Sequence, residues 1–263
     1  MREEISFESV GTRCRGWFYG PREGTRGPQP LPVIVMAHGL GGVIEMGLDA
    51  YARRFAEAGY ACVVFDYRHF GGSDGEPRQL LDIERQLQDW RSAVSFARGH
   101  EAVDPHRVIL WGTSFSGGHV IHIGAEDRKV AAVIAQCPFT DGLASTKATH
   151  PMAAFRVTAL GFRDTMAALL QRDPVTVPLV GEGGETALMT APDVLAGYRA
   201  LIPDELEFRE DVAARVGLRI PLYRPGRKAR RLRCPALFCV CEKDSVAPAN
   251  ATLRHVRKAP KGT

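Results

Sequence analysis

Trp111-Gly112-Thr113-Ser114-Phe115-Ser116-Gly117-Gly118 is the stretch on which the reading of this chain turns. An apolar run, Val108 to Trp111, leads into it, and a helical pattern from Phe115 to Gly124 leads out. A buried strand that turns sharply into a helix at a serine is the setting of a nucleophile elbow, G-x-S-x-G. The turn is tight, so small residues must flank the serine, where Cβ atoms would collide. Here the last position of the pattern is Ser116, with Gly117 one step later, and serine is small enough to be tolerated. Ser114 is the candidate nucleophile. A Gly/Ser turn with Ser114 merely capping a helix would use the same letters, so the flanking sequence has to decide.

Working outward, residues 3–10 and 13–19 alternate polar and apolar about Gly11 and read as an antiparallel hairpin. A Pro/Gly-rich connector covers Gly20 to Pro32. Val33 to Ala37 is a continuous apolar run, as expected of a strand covered on both faces. Residues 46–58 have helical spacing and stop at Gly59, Tyr60 to Asp66 is a second buried strand, and residues 79–98 form a long amphipathic helix. After the elbow helix, Val130 to Gln136 is a further strand. Strands alternating with helices predict an α/β fold with a doubly wound, mostly parallel sheet. The rhythm then breaks. Residues 141–233 hold helix-like pieces, many prolines and glycines and no obvious buried strand; the strand pattern returns at Pro235 to Val240. The expected organisation is a core of residues 1–140 and 234–263, with 141–233 as an inserted, mainly helical lid.

Three further motifs follow strand ends. His38-Gly39-Leu40-Gly41-Gly42 sits where an oxyanion loop belongs, and an oxyanion needs two preorganised N–H donors. The amides of Leu40 and Phe115 are the candidates; the His38 ring is expected to pack beneath the loop. Asp66-Tyr67-Arg68-His69-Phe70-Gly71-Gly72-Ser73 reads as a structural turn beside the elbow. Cys241-Glu242-Lys243-Asp244-Ser245-Val246-Ala247-Pro248 follows the last visible strand, at the edge of an open α/β sheet where ligands bind. Asp244 is the candidate acid that would orient a histidine, and Asp141 the fallback.

Composition narrows the rest. Of 263 residues, 45% are hydrophobic and 24% charged, ordinary for a globular protein. The net charge of +4 gathers in the run Arg224 to Arg233, which lacks aromatic interleaving and reads as a solvated loop or lid edge, so no nucleic-acid partner is expected. The six cysteines form no CxxC pair; they read as small buried hydrophobes of a reducing compartment, with no metal site. Neither a signal-peptide core nor a membrane-length apolar segment is visible, so the cytoplasm is the default expectation.

Together, H-G-L-G-G, D-Y-R-x-x-G-x-S, G-T-S-F-S-G-G-H and E-K-D-S-V-A-P resemble the α/β-hydrolase superfamily over nearly the whole chain except the lid. The stretch Asp104 to Gln136 is similar to a branch that holds bacterial esterase-like hydrolases and fungal polyketide transferases. The resemblance implies a Ser-Asp-His triad in that order, an acyl-serine, a small-molecule acyl substrate and no cofactor. The family's histidine should follow the acid after one more strand, yet only His255 lies in the tail, within a helix, and His150 in the lid is a weak substitute. The expectation is a chain lacking its last strand and catalytic histidine, with the strand at Pro235 to Val240 left as an apolar edge. The expected function is hydrolysis of an ester-like bond. Its rivals are acyl transfer to an alcohol and a non-catalytic, ligand-binding relative. Lid residues Phe155, Leu160, Phe162, Met166, Leu169 and Leu170 would line an apolar acyl pocket or pack the lid on the core. Oligomeric state is not legible.

Overall fold

The apolar runs become neighbouring strands of one sheet. The computed structural model describes residues 2–21 and 30–263; positions 22–29 of the Pro/Gly-rich connector lie outside the described residues. In chain order the elements are β1 (Arg2–Ser9), β2 (Thr12–Tyr19), β3 (Leu31–Ala37), α1 (Leu48–Glu57), β4 (Ala61–Phe65), α2 (Ile83–Gly99), β5 (Val103–Thr113) and α3 (Phe115–Glu126). There follow β6 (Ala132–Gln136), α4 (Gly142–Ala148), α5 (Pro151–Leu169), β7 (Thr176–Pro178), α6 (Val194–Arg199), β8 (Asp211–Ala213), β9 (Ala236–Cys239) and α7 (Ala249–Val256).

The sheet runs β1-β2-β4-β3-β5-β6-β9. The β1–β2 hairpin joins antiparallel at β4, and the five strands from β4 to β9 are parallel. Side chains leave a strand alternately to its two faces. Thus Val33, Val35 and Ala37 enter the larger core with α2 and α3, while Ile34 and Met36 enter the second core with Leu48, Ala52 and Ala56 of α1. Burial on both faces is why β3 and β4 read as unbroken apolar runs.

Two expectations about strands change. The segment 141–233 does contain a buried pair: β7 and β8 are antiparallel, with Val177, Val212 and Ala213 inaccessible to solvent. Three residues each are too few to show a period in sequence. The last strand also differs from its reading as an apolar edge. β9 alternates, with Ala236 and Phe238 inward and Leu237 and Cys239 exposed. Its outer side is not bare: the Ala236 and Phe238 amides donate to Lys261 and Thr263 carbonyls, and Thr263 donates back to Ala236.

The hairpin is tied to the core by a buried charge. Asp89 of α2 accepts hydrogen bonds from Ser9 Oγ at 2.6 Å, from the Arg68 amide at 3.1 Å and from Arg68 Nε. Arg68 Nη2 then donates to the Arg85 carbonyl and Gln88 Oε1, both at 2.9 Å. Both ions are almost wholly buried. Removing one partner of such a pair strands the other charge, which costs about 3–5 kcal/mol. Asp89→Ala should therefore lower unfolding stability in urea by that amount, whereas a loss below about 1 kcal/mol, the size of a surface pair, would show that no buried charge is stranded when Asp89 is removed.

Candidate active site

Ser114 sits between β5 and α3 with φ 53° and ψ −116°, a conformation that side chains disfavour. The neighbouring strand holds it there. The Ser114 amide donates to the Gln136 carbonyl at 2.9 Å, and its carbonyl accepts from the Phe139 amide at 2.8 Å. A Cβ on Gly112 would strike the Ser116 carbonyl, so glycine is required there. Ser116, the residue that departs from the usual pattern, is fully buried and accepts from Tyr67 OH at 3.1 Å; Tyr67 accepts from Trp90 Nε1 at 2.9 Å. The serine thus caps an internal hydroxyl chain that a glycine could not complete.

The loop after β3 comes up against the elbow. A Cβ on Gly39 would lie 3.0 Å from Ser114 Cβ. His38 lies beneath it as expected: Nδ1 accepts from the Gly39 amide at 2.8 Å, and Nε2 faces the Met46 carbonyl at 3.0 Å, which makes Nε2 the protonated nitrogen. Burial lowers this histidine to about 4 from its ordinary 6.5, so the ring is neutral and serves as a strut. Among the described residues, neither the Leu40 nor the Phe115 amide has an internal hydrogen-bond partner. Tyr198 OH donates to the Leu40 carbonyl at 3.0 Å and steadies the loop from α6, a contact for which the sequence carries no signal.

Asp66 is a turn residue, accepting from the Ile44 amide at 2.9 Å and the Gly72 amide at 3.0 Å. Burial, aided by Glu45, raises its carboxyl to about 7. Asp141 caps α4 and pairs with Arg224 at 2.7 Å. Asp244 is half-buried and accepts from the Val246 and Ala247 amides at 3.0 and 2.7 Å, folding its own loop into a turn.

A cavity joins these parts. Ser114, Leu40 and Phe115 line it together, and so do Ser245 and Val246, the two residues after Asp244. Asp244 itself is not part of the wall. Phe139, Ala154, Val157, Met189 and Ile220 add apolar surface to the wall, and Ser145, Thr146 and Thr190 add hydroxyls. Here the reading of the lid is corrected. Phe155, Phe162, Met166, Leu169 and Leu170 are between 55 and 72% exposed and neither line the cavity nor pack on the core; only Leu160 packs inward. The opposite face of α5 forms the wall.

The histidines all lie elsewhere. His119 is buried between Tyr223 OH at 2.7 Å and Gln86 Oε1 at 2.9 Å. His122 pairs with Glu126, His150 caps α5, and His255 lies 3.8 Å from Asp141. His69 faces the Pro77 carbonyl, His100 stacks on Phe18, and His106 is exposed. Among the described residues none hydrogen-bonds Ser114. The cysteine reading is also corrected: Cys14, Cys62 and Cys234 are buried, but Cys137 is only half-buried and Cys239 and Cys241 are exposed. No group of three or more potential metal ligands occurs among the described residues, and no described helix is long and apolar enough to cross a membrane. The basic run is partly engaged, with Arg224 on Asp141 and Lys228 on Glu126 at 2.6 Å.

With this geometry in place, the relatives are informative. The family model described as serine aminopeptidase, S33, matches residues 28–262. The quorum-quenching protein AidA of Acinetobacter baumannii (strain MDR-ZJ06) is 49% identical over 257 residues, 98% of this chain and 83% of that protein. The polyketide transferase ATR5 of Stachybotrys chlorohalonatus is 34% identical over 185 residues, 70% of this chain and 59% of that protein. The crystal structure of the alpha/beta hydrolase GrgF from Penicillium sp. sh18 superimposes with a TM-score of 0.81 at 24% identity, covering 98% of this chain and 86% of that one.

The His38 strut beneath the loop after β3 gives the fold a pH dependence. Its folded value lies below the ordinary one, so the unfolded chain takes up the proton first. The stability it contributes is complete above about pH 6.5 and is lost as pH falls through about 4. Urea stability of the wild type should fall across that window by up to about 1.4 kcal/mol per pH unit from this group, and His38→Gln should fall less steeply. Parallel slopes would show that His38 does not titrate against the fold.

Proposed function

Because the chain belongs to the serine aminopeptidase S33 family of α/β-hydrolases, we propose that it is a serine hydrolase that cleaves an ester-like bond through an acyl-serine at Ser114. The observation that carries this reading is the strained Ser114 backbone at the wall of a mainly apolar cavity, with two lining residues, Leu40 and Phe115, whose amides have no internal partner among the described residues. Ser114 Oγ attacks the acyl carbon, and the carbonyl oxygen takes up the negative charge. The amides of Leu40 and Phe115 receive it, which is the largest single contribution such a site makes. The tetrahedral adduct collapses with loss of the alcohol, and water then releases the acid. The proton of Ser114 goes to an imidazole that Asp244 orients. The histidines of the sequence have other places, so that imidazole is the missing part of the proposed machinery.

Residues 141–233 act in this reading as a lid. Ala154 and Val157 of α5 and Ile220 close the cavity with apolar surface, which favours an apolar acyl chain. The likeness to a quorum-quenching protein makes a small signalling ester a candidate substrate. The likeness to a polyketide transferase favours a second outcome from the same acyl-serine, transfer to an alcohol in place of water.

The test supplies the base from solution. A fluorophosphonate probe should label the 263-residue chain slowly, and added imidazole should raise the rate by at least about 10-fold, less than the roughly 10²–10⁴-fold of a positioned base because free imidazole is not held in place. Ser114→Ala should abolish labelling with and without imidazole. Label that persists in Ser114→Ala would overturn the nucleophile. Fast labelling of the wild type without imidazole would show that a histidine of this chain serves as the base.

A further inference from the structure

At the C-terminal ends of β6 and β9 the sulfurs of Cys137 and Cys241 lie 2.9 Å apart. Three features of the chain bring them together. Gln136 and Cys239 are register partners, and the Cys137 amide donates to the Cys239 carbonyl at 2.8 Å. Cys137 has φ 42°, which turns it out of the strand direction. Cys241 lies two residues beyond the end of β9, on the loop that carries Asp244. A disulfide has its sulfurs about 2.0 Å apart, so a closure of roughly 0.9 Å completes the bond. No other pair among the six cysteines makes a sulfur–sulfur contact among the described residues.

We propose that Cys137 and Cys241 are a redox modification site that a hydroperoxide converts to an intramolecular disulfide. Cys241 is exposed and reacts first. Its thiolate sulfur attacks the peroxide oxygen, the O–O bond breaks, the alcohol or water leaves with a proton, and a sulfenic acid remains. The sulfur of Cys137 then attacks that sulfur, the S–O bond breaks, and the hydroxyl leaves as water with the Cys137 proton. The two thiols lose two electrons and the peroxide gains them. Burial, with the hydrogen bond to Cys241 and the charges of Cys241 and Asp244, pushes the Cys137 thiol up to about 12, so Cys137 is not the first to react, and oxidation of Cys241 removes part of what holds it up.

The bond would sit next to the elbow. Cys137 follows the residue whose carbonyl holds the Ser114 amide. Cys241 opens the loop whose Ser245 and Val246 line the cavity. Oxidation thus ties that loop to the strand end that fixes Ser114. This inference does not depend on the chemistry proposed for Ser114.

The experiment treats the reduced full chain with hydrogen peroxide and follows thiol count and intact mass. The wild type should lose two of its six thiols and two hydrogens of mass, and dithiothreitol should restore both. Cys239→Ser should behave as the wild type. Cys137→Ser and Cys241→Ser should form no intramolecular bond and should gain oxygen instead. Amide hydrogen exchange over residues 241–248 should slow in the oxidised wild type. A wild type that only gains oxygen, or a bond that survives Cys241→Ser but not Cys239→Ser, would overturn the pairing. Unchanged exchange in the disulfide form would overturn its action on the loop.

Discussion

The backbone at Ser114, with φ 53° and ψ −116°, is the constraint to which the surrounding chain is fitted. Such a conformation costs about 1–3 kcal/mol and persists only where neighbours over-determine it. Here the neighbours are strand and helix at once. The register of β5 on β6 pairs Thr113 with Gln136 and so delivers the carbonyl that holds the Ser114 amide. The chain leaving β6 returns the Phe139 amide to the Ser114 carbonyl. For those bonds to form, α3 must lie close to that chain. A Cβ on Gly117 would meet Pro138, and one on Gly118 would meet the Phe139 carbonyl. Sheet pairing, glycine placement and elbow strain are therefore one requirement.

Three buried carboxylates fix what the elbow alone leaves free, one held by backbone amides and two by arginines. Asp66 relies on two amides and sits above the usual carboxylate range, so it shapes a turn without adding a firm charge near the elbow. Asp89, raised by burial, accepts from Arg68 and from Ser9 of β1 and so joins the hairpin to α2. Asp164 of α5, wholly buried, accepts from Arg215 Nε at 2.6 Å and Nη2 at 3.0 Å, and from the Arg215 and Val175 amides at 2.9 Å. This fork-on-fork contact ties α5 to the chain that leaves β8. Removing the Arg215 side chain alone would leave a buried, half-satisfied carboxylate, so helix position and charge pairing are coupled.

The alternation of strands and helices, and the sharp turn at Ser114, were legible because each has a local cause. Burial on both faces makes apolar runs, and close approach of backbones demands glycine at fixed spacings. The family follows from the same residues. What the sequence hid depends on distant partners. Ser116 reads as a tolerated glycine substitute until Tyr67 and Trp90, remote in sequence, stand behind it. Tyr198, Asp164 and Arg215 carry no motif, since their roles arise only when 141–233 folds over the sheet. The cysteines carry no such signal: Cys239 is on the open face of β9, at the edge of the sheet, and Cys137 and Cys241 lie just past the ends of β6 and β9.

Helix α5 shows most plainly why size and hydrophobicity do not identify a pocket wall. The exposed residues Met152, Phe155, Phe162, Met166 and Leu169, with Ala159 between them, step by three and four along α5 and form one stripe. Ala153, Val157 and Gly161 form the opposite stripe and are buried. The small residues face inward because the backbone runs close to the turn after β8. A Cβ on Gly161 would lie 2.8 Å from Leu218 Cγ and 3.1 Å from the Ala214 carbonyl. Large side chains on that face would push the helix away and break the Asp164–Arg215 contact. The helix can therefore border the cavity only with small residues such as Ala154 and Val157. A period-3.6 pattern gives a helix and two faces, and here the more apolar face is the outer one. Closeness of packing, not hydrophobic weight, decides which face lines the cavity.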